Sequence, residues 1–468
     1  MSKGKEESIQ ALEKMRSKAS RRWKAYPEYR SSGEDWIGES PRDWRVVKIR
    51  HLSTVKRGAS PRPIDSPEYF DDDGEYAWVR ISDVTASRKY LLNTTQRLSV
   101  LGKSKSVQME PGDLFISIAA TVGVPIITQI KCCIHDGFVY FHNLKVNPEY
   151  LYYLFAGGEL FKGLGKLGTQ LNLNTDTIGD IKIPVPGTGE VKAIVSFLDR
   201  ETARIDALIK EKEKLIDLLE EKRTSMISHA VTKGLNPDAP MKDSGIPWIG
   251  KIPAHWQVKK LKYLSKGVGG GTPSTTNPDF WDGDIPWVSP KDMKGDVVED
   301  TEDHISELAV KSSTTNYVPA GTVLIVVRSG ILRHTIPVAL AARKMTINQD
   351  LKGFVTRGAS FADYFSYLVR ANQQNLLIEW RKLGATVESL EFELMRNSYL
   401  PLPPADECRA IAFVCTKIQR SINEIQSDTR RAIALLHEHR TALISAAVTG
   451  KIDVRGVAGP IVPKKGTE

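Results

Sequence analysis

Two sets of polar and basic residues lie in stretches that read as loops between predicted strands. Arg, Gln, Asn, Ser and Thr side chains can hydrogen-bond to base edges, and Lys and Arg neutralise phosphates. Any one of these residues is also ordinary on a protein surface, so they predict a surface and not single contacts. The candidate nucleic-acid-binding residues are Arg57, Arg62, Arg80, Ser82, Lys89, Gln170 and Asn172 in the first half, and Thr272, Ser274, Thr275, Lys291, Arg328 and Arg333 in the second.

Other motifs match catalytic or cofactor patterns only by letter. Residues 163–168 have the spacing G-x-G-x-x-G, but a helical pattern precedes them where a dinucleotide loop needs a strand. Asn147-Pro148 and Asn277-Pro278 are similar to the Asn-Pro-Pro-aromatic box of amino-methyltransferases, yet an acid replaces the second proline. The run 71–74 reads as a solvated turn, and no His or Cys spacing suits zinc. We therefore expect no catalytic residue, metal site or cofactor on this chain.

Composition places the 468-residue chain among ordinary globular proteins. Hydrophobic residues make up 41% and charged residues 26%, which excludes wholesale disorder. No apolar run reaches the roughly 18 residues that span a bilayer. The four cysteines form no disulfide framework, and the first residues lack the apolar core of a signal peptide. We expect a cytoplasmic protein with no membrane partner.

Charge is concentrated at the start of the chain. The formal net charge is +9, and the first 33 residues carry nine Lys or Arg against four Asp or Glu. A basic balance favours a polyanionic partner such as nucleic acid. A solvated basic tail explains the same charge equally well.

The chain contains an internal repeat. Residues 32–53 and 244–265 are identical at eleven of 22 positions, including two tryptophans, a glycine and a proline in register. Residues 222–233 and 439–450 are identical at seven of twelve. The two copies agree at their ends and diverge in their middles, so the repeat predicts one fold used twice with two different surfaces.

Each copy ends in a long helix. Apolar residues recur with alternating three- and four-residue spacing after 183–186 and after 400–403, flanked by charged residues. In the first helix this spacing assigns Leu208, Leu215 and Met226, among others, to the apolar seam. Such a narrow seam is typical of a coiled coil, and the two helices most simply pair with each other. The middles alternate β-branched runs with Gly, Pro and Asn, which predicts strands, with short helices at 149–162 and 362–383.

These patterns predict a mixed α/β (α+β) fold in which two similar globular domains are separated by two long antiparallel coiled-coil helices, with an internal pseudo-two-fold repeat. The predicted divisions are a basic extension at 1–31, a first domain at 32–188, a central helix at 189–235, a second domain at 236–405, a distal helix at 406–450 and a tail at 451–468.

The ordered motifs resemble the specificity subunit of type I restriction-modification systems. The resemblance spans about residues 28–450 and includes the duplicated openings, the second-half run beginning GGGTPSTTNPDFW, the proline motifs before the helices, and the helix ends ISHAVTKG and ISAAVTGK. The first half departs from the pattern, with ASPRP where the second half has the more usual Gly-Thr-Pro.

The resemblance implies two target-recognition domains, each reading one half of a bipartite, asymmetric site on double-stranded DNA. It implies that the helices set the spacer between the half-sites and dock two modification subunits, which carry S-adenosylmethionine and methylate adenine. Restriction subunits, which use ATP and Mg²⁺, would join through that core. No catalysis and no cofactor would belong to this chain.

Two other classes remain open at this point. An autonomous DNA adenine methyltransferase would need an S-adenosylmethionine loop, which the sequence does not offer. A coiled-coil scaffold, or a decoy of the same fold, would give no sequence-specific footprint on DNA.

Overall fold

The computed structural model describes residues 23–161, 173–382 and 387–457. The first domain contains strands β1 Tyr29–Ser31, β2 Glu39–Pro41, β3 Arg45–Lys48, β4 Thr54–Arg57, β5 Tyr76–Val79, β6 Tyr90–Leu91, β7 Gln96–Leu98, β8 Val107–Met109, β9 Leu114–Ser117, β10 Pro125–Thr128, β11 Cys132–Ile134, β12 Phe138–His142 and β13 Lys182–Val185. Its helices are α1 Ile81–Ala86, α2 Val100–Ser104, α3 Pro148–Ala156 and α4 Thr175–Asp180, with 3₁₀ turns at Ile49–His51, Pro67–Tyr69 and Glu159–Phe161.

A long helix, α5 Thr188–Lys233, follows the first domain. The second domain contains β14 Met241–Asp243, β15 Lys251–Pro253, β16 Gln257–Lys260, β17 Ser265–Gly269, β18 Ile285–Val288, β19 Val297–Val298, β20 His304–Ile305, β21 Tyr317–Val318, β22 Val323–Val326, β23 Val338–Ala341, β24 Met345–Ile347, β25 Leu351–Thr356 and β26 Tyr399–Leu402. Its helices are α6 Leu261–Leu264, α7 Glu307–Ser312, α8 Ala359–Ala371, α9 Gln373–Trp380 and α10 Phe392–Asn397, with 3₁₀ turns at Pro278–Phe280, Pro290–Asp292 and Gly330–Arg333. A second long helix, α11 Ala405–Val448, comes last.

The two domains have the same sheet topology. In the first, a five-stranded sheet has the order β4-β12-β9-β10-β6 and a four-stranded sheet the order β7-β5-β11-β8. In the second, the orders are β17-β25-β22-β23-β19 and β20-β18-β24-β21. Each strand thus has its counterpart in the other domain, and the predicted mixed α/β repeat is confirmed.

The residues shared by the two copies build the cores. Trp44 and Trp256, which the repeat places in register, are 1% and 0% exposed. Trp44 belongs to an apolar cluster with residues of β9, β13 and α3 as well as both long helices. Trp256 occupies the same place in the cluster of the second domain. The matching ends of the copies therefore encode packing.

Several predicted elements are shorter than the sequence indicated. The side chain of Asn147 caps α3 by accepting from the backbone N–H of Tyr150 at 2.9 Å, so Asn147-Pro148 begins a helix. The helix predicted to reach residue 162 ends at Ala156, because Gly157 and then Gly158, with a φ of +71°, interrupt it. The helix predicted at 362–383 is divided at Asn372 into α8 and α9.

Contacts divide the chain into two compact units, and each unit holds half of both long helices. One unit contains the described residues up to Lys212 with those from Arg431 onward, and the other contains Glu213–Arg430. In the first, Arg440 of α11 bonds Asp206 of α5 at 3.0 Å. In the second, Arg223 bonds Asn423 at 3.1 Å and Gln426 bonds the carbonyl of Ile216 at 3.3 Å. Rising numbers on one helix meet falling numbers on the other, so the helices are antiparallel within each unit.

The apolar seam of α5 departs from the predicted one from Leu208 onward. The sequence pattern assigned Leu208, Leu215 and Met226 to the seam, yet each is about 41% exposed. The isoleucine that follows each of them faces inward instead; Ile209 and Ile227, for example, are buried. Because both members of each pair are apolar, spacing alone could not select between them. Among the described residues, no helix is long and apolar enough to cross a membrane.

Candidate nucleic-acid interface

Four strand ends meet at one edge of the first domain. Strands β4 and β9 both run antiparallel to β12, so they point the same way, and β5 is parallel to β11. The turn 135–137 joins β11 to β12, so the residues after β4, β5, β9 and β11 all surround this turn. Backbone hydrogen bonds join it to neighbouring segments at Gly58–Phe138 and Ile118–Gly137. We call this surface the loop edge of the first domain; it comprises residues 57–62, 80–82, 118–124 and 135–137.

Asp136 is the centre of the loop edge in the first domain. Its carboxylate accepts from Ser60 Oγ at 2.7 Å and from Arg62 Nη2 at 2.9 Å. Arg57 Nε donates to the Asp136 backbone carbonyl at 2.6 Å. The Ser60 hydrogen bond, with the charges of Arg62 and Arg57, lowers the pKa of Asp136 below its ordinary value, so this carboxylate is charged at neutral pH. The side chain of Arg62 stays 70% exposed, where a ligand can reach it.

Arg80 and Ser82 begin the segment after β5. The backbone N–H of Arg80 donates to Asp83 Oδ2 at 2.8 Å, which fixes the start of α1. Both side chains are exposed, and neither makes a hydrogen bond or ion pair with a described residue. Their donors are therefore available to a ligand at the loop edge.

Lys89 is largely buried, and its ammonium is paired with carboxylates of the fold. Its side chain is only 12% exposed and pairs with Asp199 of α5 at 2.5 Å and with Glu149 of α3 at 3.3 Å. Its ammonium also lies 5.0 Å from the ring centroid of Tyr153. The predicted contact of Lys89 with nucleic acid thus has no support in this geometry, and we leave Lys89 out of the candidate surface.

The second domain has the same edge. Strands β17 and β22 both run antiparallel to β25, β18 is parallel to β24, and the turn 348–350 joins β24 to β25. Gly271 N–H donates to the Ile347 carbonyl at 3.1 Å, and Val327 N–H to that of Asp350 at 2.7 Å. The loop edge of the second domain comprises residues 270–276, 289–291, 327–334, 348–350 and 388–389.

Asp350 holds Arg328 at this edge. Arg328 Nε lies 2.6 Å from Asp350 Oδ1, and the Arg328 backbone N–H donates to the Asp350 carbonyl at 3.3 Å. The other carboxylate oxygen, Oδ2, accepts from Asn348 Nδ2 at 3.3 Å and from Gln349 Nε2 at 3.4 Å. The Arg328 side chain is 53% exposed. Both oxygens of the Asp350 carboxylate are therefore engaged by neighbouring side chains.

The three hydroxyl residues of the second set lie together on the loop after β17. Thr272 Oγ1 donates to Gln349 Oε1, and Ser274 Oγ lies 2.8 Å from Thr276 Oγ1. Thr275 is exposed and makes no hydrogen bond to a described residue. Through Thr272 and Gln349 this loop is joined to the turn that carries Asp350.

Lys291 and Arg333 complete the second set. Lys291 follows β18 and pairs with Asp303 at 2.8 Å and Glu302 at 3.3 Å. The hydrogen bond to Asp303, followed by that to Glu302, raises the pKa of Lys291. Arg333 Nε lies 3.7 Å from Glu388 Oε1. Lys291 is thus paired with two carboxylates and Arg333 makes one longer contact, and both side chains remain substantially exposed.

The loop that departs from the family pattern occupies the same place in both domains. A Cβ added to Gly58 would lie closer than 3.0 Å to the carbonyl oxygens of Ile134 and His135. A Cβ added to Gly270 would meet those of Ile347 and Asn348 in the same way. Ser60 and Thr272, two residues further along, both hydrogen-bond the next residue of the facing turn. ASPRP at 59–63 and GTPST at 271–275 are thus equivalent loops.

The residue types in the sequence predicted the basic side chains of the two loop edges, but not the acidic and amide side chains that contact the predicted residues. Asp136, Gln349 and Glu388 were not predicted, and a signal for the first two was their position directly after a buried strand. Gln170, Asn172 and the glycine run 163–168 lie outside the described residues. Within the part of the chain that the structure describes, no group of three or more His, Cys, Asp or Glu could hold a metal ion.

A duplicated α/β domain, with differing cation-bearing loops gathered at one edge of each copy, defines a binding protein with two related recognition surfaces. The family model for the type I restriction modification DNA specificity domain matches residues 41–218 and 253–445. The chain therefore belongs to this family and carries two of its domains, as the sequence predicted.

Curated relatives are specificity subunits. The EcoR124I/EcoR124II specificity subunit of Escherichia coli is 35% identical over 38% of this chain and 44% of its own length. The putative MjaX specificity subunit of Methanocaldococcus jannaschii is 24% identical over 90% of this chain and 96% of its own length. The chain thus spans less than half the length of the E. coli relative it matches.

The fold is similar to that of a chain in a solved structure concerned with complex assembly and conformational transition of the type I R-M system. The TM-score is 0.66 at 16% identity, over 87% of this chain and 98% of that chain. At this identity the likeness supports the fold alone.

Proposed function

We propose that this chain is the DNA-reading subunit of a type I restriction-modification complex, and that each loop edge reads one half of a bipartite, asymmetric target. The observation that carries the proposal is the placement of the predicted side chains. Of those in the described residues, all but Lys89 lie on one loop edge or the other. Arginines and hydroxyls on adjacent loops supply the donors for base edges, and exposed cations supply phosphate contacts.

The two long helices are the proposed docking surface for partner subunits. They carry several large apolar side chains that are between about two-fifths and three-fifths exposed, as protein-binding surfaces typically do. These side chains are Leu208, Leu215, Leu218, Met226, Phe413 and Ile425. We infer that two modification subunits bind here and supply S-adenosylmethionine chemistry, and that ATP- and Mg²⁺-dependent restriction subunits join through them, in the cytoplasm. The chain itself would position the DNA and transfer no methyl group.

Methylome sequencing of a host that carries this chain with its modification partner tests the proposal. We expect methylated adenines in one bipartite, asymmetric motif, and no methylation of DNA by the purified chain alone. Absence of any sequence-specific methylation or footprint would favour a scaffold or decoy. Labelling of DNA from S-adenosylmethionine without the partner would show an autonomous methyltransferase instead.

The helices are also the proposed ruler for the spacer between half-sites. Helix α5 has 46 residues, or about 69 Å at 1.5 Å per residue. Four residues added within 210–214 would lengthen it by about 6 Å, close to two base pairs of DNA. The apolar seams of the sequence suggest 427–431 for the matching insertion. Because Asp206 of α5 meets Arg440 of α11 in an antiparallel pair, the insertion belongs instead at 432–436, opposite 210–214.

We expect the double insertion to lengthen the unread spacer by one or two base pairs and to leave both half-sites unchanged. Four residues turn a helix by about 400°, so the seam stays nearly in phase. The methylome of a strain carrying the double insertion measures the spacer directly. An unchanged spacer at full methylation would assign the ruler to the partner subunits or to the DNA.

A further inference from the structure

Arg328 is held at the second loop edge through both its backbone and its guanidinium. Its backbone pairs with Ser389 in an isolated antiparallel bridge and donates to the Asp350 carbonyl. Its guanidinium is held through Nε, 2.6 Å from Asp350 Oδ1. Both ends of the side chain are therefore fixed by groups of the fold, while the side chain stays half-exposed.

Asp350 is itself held in place. Its backbone N–H donates to Asn348 Oδ1 at 2.9 Å, and its Oδ2 accepts from the Asn348 and Gln349 amides. Since both carboxylate oxygens already have donors, Asp350 has little capacity left for a base. Its effect is to set the direction in which Arg328 points.

The terminal nitrogens of the Arg328 guanidinium, Nη1 and Nη2, remain available as hydrogen-bond donors. No described residue accepts from Nη1 or Nη2 of Arg328. These two groups form a planar fork that fits the O6 and N7 acceptors of guanine in the major groove. A phosphate contact needs charge and little orientation, and a carboxylate partner weakens the attraction of an arginine for phosphate. The geometry therefore favours reading of a base over binding of the backbone.

We propose that Arg328 reads a guanine in the half-site of the second domain, and that Asp350 is its positioning residue. This inference rests on the proposed function, because it names a base within the target that the second loop edge would read.

The test uses the complex of this chain with its modification subunit, and its readouts are the methylome and binding to target duplexes that carry each base at one position. The half-site of the second domain is the one that changes when residues 257–402 are exchanged for those of a relative. Arg328→Ala and Arg328→Lys should both lower the preference for guanine at one position of that half-site by about 5- to 150-fold. Asp350→Asn should relax the same position by less.

Arg328→Lys is the decisive variant, because lysine keeps the charge and loses the fork. The matched control is Arg343→Ala, which removes an exposed ion pair with Asp300 at the opposite edge of the same sheet; it should leave the motif unchanged. The inference is wrong if the half-site of the second domain contains no guanine. It is also wrong if Arg328→Lys keeps the preference, or if Arg328→Ala weakens all duplexes equally with a shallower salt dependence. A wild-type complex with no bipartite motif would instead contradict the proposed function.

Discussion

The first and second domains share every strand pairing of their two main sheets in the same order, yet they present different side chains at the same edge. Where the domains agree, the residues are buried tryptophans and close-packed glycines. Where they differ, the residues lie on loops that begin at equivalent strand ends. A fold that keeps its recognition residues outside its core can change what it reads without changing how it folds.

In both loop edges an aspartate holds an arginine, but the arginine comes from a different loop in each domain. In the first domain, Asp136 holds Arg62, which comes from the loop after β4. In the second, Asp350 holds Arg328, which comes from the segment after β22. The two carboxylates lie on equivalent turns, 135–137 and 348–350, at positions that differ by one residue in the repeat. Each domain thus orients an arginine, but from a different direction, as two unlike half-sites would require.

The largest expected effect comes from exchanging a whole domain core. Replacing residues 45–185 with the corresponding segment of a relative should change one half-site completely and leave the other intact, because each loop edge is built from one domain. The methylome of the exchanged chain with its modification subunit measures both half-sites at once. Alteration of both half-sites would contradict independent reading.

A smaller effect is expected from the equivalent glycines. Gly58→Ala and Gly270→Ala each place a methyl group closer than 3.0 Å to backbone carbonyl oxygens, and such overpacking typically costs about 1–3 kcal/mol. Each variant should lower the free energy of unfolding of its own domain. Denaturant unfolding followed by hydrogen exchange assigns the loss to a domain.

Gly330→Ala is the matched control for this pair, since nothing lies within 4 Å of its added Cβ. It sits on the loop edge of the second domain and should be nearly neutral. If Gly58→Ala or Gly270→Ala proves equally neutral, the close approach of the loop to the facing turn is not needed for the fold.

Much of this architecture could be predicted from the sequence, because the residues that are identical in the two copies are largely those that pack in the cores. The repeat of Trp44 in Trp256 and the spacing of apolar residues in the helices were enough to predict the fold class and its two long helices. The sequence could not choose between Leu208 and Ile209 for the seam, because both satisfy the apolar pattern and only the partner helix distinguishes them.

The sequence allowed the basic residues of the candidate site to be predicted, but not the acidic residues that hold them. Arg62 and Arg328 attract notice as residue types suited to DNA, whereas Asp136 becomes meaningful only when the sheet brings its turn against the loop after β4. Lys89 shows the converse. Its type suggested a DNA contact, and the fold places Asp199, 110 residues away in sequence, beside its ammonium.

The smallest expected effect is a difference in acid sensitivity between the two domains. His135 of the first domain occupies the position that Asn348 has in the second. Burial lowers the pKa of His135, with the Asp136 charge opposing this shift. The Gly137 N–H donates to His135 Nδ1 at 2.8 Å, so protonation of that nitrogen would also break a hydrogen bond.

A histidine whose pKa is lower in the folded chain takes up its proton first in the unfolded chain. The contribution of His135 to stability is therefore complete above about pH 6.5 and declines as the pH falls towards its pKa in the folded protein. Hydrogen-exchange protection of the first domain should decrease over this range relative to the second, and His135→Asn should reduce the difference. The exposed His142→Asn is the control and should leave it in place. Equal acid sensitivity of wild type and His135→Asn would mean that other groups of the first domain govern its response, and that this difference between the loop edges has no energetic consequence.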